Sequence, residues 1–218
     1  MQNPNKKPHY RLYTRALSYA LMSACHHADP QVVRWCLARG ADVVGYNNSG
    51  HYSPLHAVCE TGSLYPQWEP MKTPAEREEI VKILLDAGAD VNSLSAGMGV
   101  PPVYCAVRRQ YYAITKILID AGADVNLRDP KAEPDSILWA PLVTGSLDIV
   151  QLLLDAGVNI ENTNNNGDNA MTVAALALEG EDRDEAIAMI VASRPLHYWA
   201  AHKSIMGSQP LSKILREV

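Results

Sequence analysis

The chain has 218 residues, 47% hydrophobic and 20% charged, a balance that excludes a disordered or collagen-like polymer and fits one or two globular domains. A chain of this size buries enough surface to fold without a metal or disulfide staple. Its 24 acids against 19 Lys and Arg leave a net charge of −5, which argues against a nucleic-acid binder, and no apolar run is long enough to span a membrane.

The chain opens with Lys6, Lys7, Arg11 and Arg15 and no acid among them. No uninterrupted apolar stretch follows, so no secretory signal is expected. Cys25, Cys36, Cys59 and Cys105 show no Cys-x-x-Cys pairing. They are expected to be reduced core thiols of a cytoplasmic protein. Residues 1–18 read as a tail and lead-in to the first helix, frayed to about Tyr10.

From there one phrase recurs: Leu37-Ala38-Arg39-Gly40-Ala41-Asp42-Val43, Leu85-Asp86-Ala87-Gly88-Ala89-Asp90-Val91-Asn92, Ile119-Asp120-Ala121-Gly122-Ala123-Asp124-Val125-Asn126, and Leu154-Asp155-Ala156-Gly157-Val158-Asn159-Ile160. Its glycines are 48, 34 and 35 residues apart. A second phrase precedes the glycines. It is Ser53-Pro54-Leu55-His56-Ala57-Val58, then Pro101-Pro102-Val103-Tyr104-Cys105-Ala106, then Ser136-Ile137-Leu138-Trp139-Ala140. Ser53 and Pro54 suit a helix start. Leu55 and Val58 share one face, three residues apart. The run Ile80-Val81-Lys82-Ile83-Leu84-Leu85 is a second helix that Gly88 ends.

Four such phrases in register resemble the ankyrin repeat, whose period is about 33 residues with a T-P-L-H-x-A opening. The resemblance covers roughly Tyr19 to Ala192. It implies an all-α solenoid of about five helix-turn-helix repeats joined by short finger turns. The repeats run Tyr19–Gly50, His51–Gly99, Val100–Pro134, Asp135–Asp168 and Asn169–Ser193, and residues 194–218 form C-terminal capping helices. His56 is expected to bond local backbone and tie neighbouring repeats. Repeat two carries a long insertion, residues 65–78, with Trp68 in it. Its Thr73-Pro74-Ala75-Glu76 reads as a helix start. The insertion reads either as a loop folded back on its own chain or as a partner contact.

The resemblance also implies non-catalytic recognition of a partner protein through a concave groove of inner helices and fingers. Carried over by position, the inner-helix residues are Ser23, His26 and His27; Glu60 and Thr61; Arg108 and Arg109; and Val143 and Thr144. The finger residues are Tyr46, Asn47, His51 and Tyr52; Ser95 and Met98; Arg128, Asp129 and Lys131; and Asn164, Asn166 and Asp168. Arg108 and Arg109, with Tyr111 and Tyr112, suit an acidic group on the partner. A pair between these arginines and Glu60 or a finger acid is the competing reading. Asn92 and Asn126 sit in Asp-Val-Asn turns that resemble hydroxylation sites of ankyrin proteins, although a turn role explains them too.

Catalysis finds little support. Ser53 and His56 lie three residues apart without an acid or an oxyanion device. Gly-rich phosphate loops, HExxH and EF-hand loops do not occur. A pocket around His26, His27 and His51, holding a metal or a small ligand, is the rival reading. No cofactor, nucleic acid or membrane is expected. The chain is expected to be a monomer that acts as an inhibitor, an immunity-type partner or an adaptor.

Overall fold

Each recurring phrase closes a helix in the same way, and helix pairs are the unit of the architecture. The computed structural model describes residues 8–44, 53–60, 73–96, 98–129, 136–164 and 166–194. Among them are ten helices and no strand. The chain divides into two compact units, Met1–Ala132 and Glu133–Val218.

In the first unit, three inner helices α1 (Pro8–His26), α3 (Pro54–Glu60) and α5 (Pro102–Arg108) alternate with outer helices α2 (Pro30–Ala38), α4 (Pro74–Asp86) and α6 (Tyr112–Asp120). Inner helices pack on inner, outer on outer, and each inner helix on its own outer partner. The two layers bury Leu21, Leu55, Ile80, Leu84, Val103 and Leu118 between them. The second unit repeats the plan with α7 (Trp139–Thr144) and α8 (Leu147–Asp155), then α9 (Ala170–Ala177) and α10 (Gly180–Ala192). Leu138, Leu142, Ile149, Leu153 and Ile190 fill its core.

The first helix is longer than the sequence implies. α1 starts at Pro8, so residues 8–18, read as a lead-in, are helical. Leu17 and Ser18 are buried in line with Leu21, Ala24 and Cys25. That spacing keeps one face of α1 against α2 and α3. α4 is also long. Thr73 caps it with a reciprocal pair: its Oγ1 accepts from the Glu76 N–H at 3.4 Å, and the Glu76 carboxylate accepts from the Thr73 N–H at 2.8 Å. Pro74 follows at the first helical position, as expected. Part of the insertion thereby extends an outer helix. Residues 61–72, with Trp68, and the expected cap at 195–218 lie outside the described residues.

The glycine phrase works as a helix stop. Gly88 has φ +86° and donates to the Leu85 carbonyl at 2.9 Å, and Ala89 donates to Leu84 at 2.9 Å. The same two bonds recur at Gly40, Gly122 and Gly157. The acid two residues later has its own task. Asp42, Asp90 and Asp124, and Asn159 in the fourth phrase, each accept from the backbone N–H two residues on, at 2.8–3.0 Å. This Asx turn aims the finger. The recurrence of Asp or Asn at one place in all four phrases was its signal.

Candidate functional site

His56 is the hinge pin between the second and third repeats. Its ring is fully buried. Nδ1 accepts from the Ser53 N–H at 3.3 Å and lies 2.8 Å from Ser53 Oγ, while Nε2 donates to the Val100 carbonyl at 2.9 Å. Burial lowers its pKa, opposed by the Val100 bond and the Glu60 charge. A neutral imidazole with both nitrogens bonded ties two repeats together, as its position in the opening phrase implied. It is also out of reach of any substrate, so the Ser53–His56 contact is no catalytic dyad.

The inner-helix ends carry the exposed polar residues. At equivalent positions of α1, α3 and α5 stand His26, Glu60 and Arg108, each at the C-terminal end of its helix. Arg108 Nη2 meets Glu60 Oε1 at 2.5 Å across neighbouring repeats. Of the two arginines, this one is therefore engaged within the chain. Arg109 is exposed and has no ion pair among the described residues. Tyr112 is exposed too, but it opens the outer helix α6, beyond the turn that follows Arg109. That turn is strained: Gln110 has φ +60°, where the equivalent residue of α7 is Gly145 at φ +70°. Ala28 takes φ +47° at the same place after α1.

His26 and His27 are exposed, and His27 Nδ1 lies 2.7 Å from the Ser23 carbonyl. Among the described residues no group of three or more His, Cys, Asp or Glu could hold a metal. His51, the third member of the expected pocket, lies outside the described residues, as do Tyr46, Asn47, Tyr52, Thr61, Trp68 and Lys131. Arg128 and Asn166 are exposed finger residues, and Met98, Asp129 and Asp168 are half-buried.

Two finger residues change role. Asn164, expected on the binding surface, is buried at 9% exposure. Its Oδ1 accepts from the N–H groups of Asn166 and Asp168 at 2.9 and 2.8 Å, and its Nδ2 donates to Asp168 at 3.2 Å. A side chain spent on three local bonds organises the finger. Ser95 is likewise buried, its Oγ accepting from the Val100 N–H at 3.3 Å. Asn92 is half-buried and bridges forward: its Oδ1 accepts from Asp124 at 2.8 Å and its Nδ2 donates to the Gly122 carbonyl at 3.1 Å.

All four cysteines are buried. Burial pushes the thiols of Cys25 and Cys105 up to about 12, and raises those of Cys36 and Cys59. Such thiols pack as small apolar groups and are poor nucleophiles. No described helix is long and apolar enough to cross a membrane.

Sequence reasoning placed Val143 on the second unit's inner face but missed Trp139 and Leu176, and with them the apolar character of that face. Trp139, Val143 and Leu176 are 38%, 41% and 76% exposed there. Trp139 stands where the second repeat has its buried His56, a substitution visible in the degraded opening phrase.

The family model described as ankyrin repeats (3 copies) matches residues 21–129. Among curated proteins no significant match is found. The matched stretch takes in most of the first unit, including the Ser53–His56 opening and three of the glycine stops. Ankyrin repeats are typically non-enzymatic and generally serve as protein–protein interaction modules. With half of the chain matched and the helix pairs built as described, the chain belongs to the ankyrin-repeat family.

Proposed function

We propose that the chain is a non-catalytic recognition module that binds a partner protein through the inner-helix ends and fingers of its first unit. The observation that carries the reading is the arginine pair. Arg108 is held by Glu60, and Arg109 stands exposed beside it with no ion pair among the described residues. A planar guanidinium on a rigid helix end grips a carboxylate of a partner with little ordering cost. Exposed His26, His27, Tyr112 and Arg128 in the same unit supply further polar and aromatic contacts. An inhibitor or immunity-type partner, which covers an enzyme's active site, needs one such surface. An adaptor needs two. The thiol set, unpaired and buried, suits a reducing cytoplasm, and the chain acts as a monomer that the partner meets one to one.

The test is affinity capture from native cell extract with wild type, Arg109→Glu and Arg108→Glu. One dominant protein held by wild type and lost by Arg109→Glu is the expected result. Arg108→Glu should cost about 1 kcal/mol of stability or more, because its ion pair is half-buried and the change sets a second carboxylate against Glu60. A partner held equally by wild type and Arg109→Glu would move the site away from α5. If the captured protein is an enzyme, its activity with and without the chain separates inhibitor from adaptor.

A further inference from the structure

We propose that the inner-helix face of the second unit docks a basic segment of a partner protein that carries a large apolar anchor. The inference rests on the recognition reading above but concerns a different surface, and it follows from two independent features of that unit.

The first is an apolar row. Val143 on α7 and Leu176 on α9 occupy equivalent positions of successive repeats, and the two helices pack side by side. The same position in the first unit holds His26, Glu60 and Arg108, all polar. Trp139 lies one turn earlier on α7. Single exposed apolar residues are ordinary on protein surfaces, but three on one face form a patch. Leu176, at 76% exposure, contributes little to the core of its own unit. Trp139, one turn earlier on the neighbouring helix, supplies the kind of flat anchor that dominates binding energies.

The second feature is charge. From 136 to 194 the chain has nine acids and two arginines. Both arginines are engaged: Arg183 pairs with Asp184 at 2.9 Å, and Arg194 Nη2 donates to the Val158 carbonyl at 2.9 Å. Acids also border the apolar row. Glu179 is the cap residue of α10, three residues after Leu176. Asp182 reaches the turn that ends α7, where a Cβ on Gly145 would lie 4.0 Å from its Oδ2. Val143 and Leu176 sit toward this same end of their helices. An apolar strip rimmed by carboxylates, with no unengaged Lys or Arg among the described residues of this unit, selects a partner with an apolar core and a Lys/Arg rim. The negative field would also speed its approach at low salt.

The probe is a phage-displayed random peptide library panned on the full chain, with Leu176→Ser as the counter-screen. That variant keeps the charge and changes an exposed side chain, so its circular dichroism and melting should match wild type. The expected pool is rich in Lys or Arg with a Leu, Phe or Trp anchor. A selected peptide should bind Leu176→Ser about tenfold more weakly by fluorescence anisotropy. The double variant Glu179→Gln/Asp182→Asn should weaken binding several-fold and flatten its salt dependence. A pool without basic excess, an empty selection, or peptides held equally by Leu176→Ser would overturn the proposal. Arg109→Glu separates the two surfaces. Peptides lost by that variant and kept by Leu176→Ser would support the α5 site and refute this one.

Discussion

Replacing His56 with alanine removes three contacts at once: the bond to the Val100 carbonyl at 2.9 Å, the bond from the Ser53 N–H at 3.3 Å, and the 2.8 Å contact with Ser53 Oγ. It also empties a ring-sized space in a fully buried site. The Val100 carbonyl keeps a second donor, the Ser95 N–H at 3.0 Å, so that acceptor is not orphaned. Counting about 1 kcal/mol for each of two bonds and a further kcal/mol or so for the cavity, His56→Ala should cost roughly 3 kcal/mol. The pH dependence gives the experiment its sign. Burial holds the folded-state pKa of His56 below its ordinary 6.5. As pH falls below 6.5, the unfolded chain takes up the proton first, so stability is whole above 6.5 and is lost as pH drops toward the folded-state pKa. One proton limits the slope to about 1.4 kcal/mol per pH unit. His56→Ala lacks that slope. Urea unfolding followed by circular dichroism at about pH 7.5 and 5.5 should therefore show a gap between wild type and variant that narrows in acid. A gap below about 1 kcal/mol at the higher pH, or one that does not change with pH, would refute the tie between repeats as the role of this residue.

Three further changes test other parts of the structure. Thr115 Oγ1 is buried without a hydrogen-bond partner, where α4 and α8 carry Val81 and Val150; Thr115→Val should raise stability by about 1 kcal/mol, and a lower urea midpoint would contradict it. Gln110 combines a left-handed φ of +60° with a buried, unpartnered amide; Gln110→Gly should gain roughly 1 kcal/mol, read as a higher melting temperature. Asn164→Ala strips the finger of three side-chain bonds and should cost about 2 kcal/mol, with a loss confined to the second unit in hydrogen exchange. The buried thiols should react with a disulfide reagent near neutral pH only after urea unfolds the chain, and prompt labelling of the native protein would show them to be accessible.

What the sequence determined by itself is the helix pair and its punctuation. A glycine that must take a left-handed φ, a Ser-Pro or Thr-Pro start and an apolar face at helical spacing are local requirements, so they repeat visibly along the chain. The imidazole tie of His56 was legible only through the resemblance of its phrase to the ankyrin opening, since its bond to Val100 spans 44 residues. Tertiary structure decided everything that depends on who sits beside whom. Arg108 and Arg109 are neighbours in sequence with like charge, yet only Arg108 meets Glu60, 48 residues away. Asn164 and Asn166 read alike as polar finger residues, but the curl of the finger buries one amide among backbone N–H groups and leaves the other in solvent. The helical start at Pro8 and the exposure of Trp139 and Leu176 in line with Val143 likewise appear only when helices pack. Burial is a property of neighbouring elements, and a helical spacing that marks one face cannot say which face the next helix will cover.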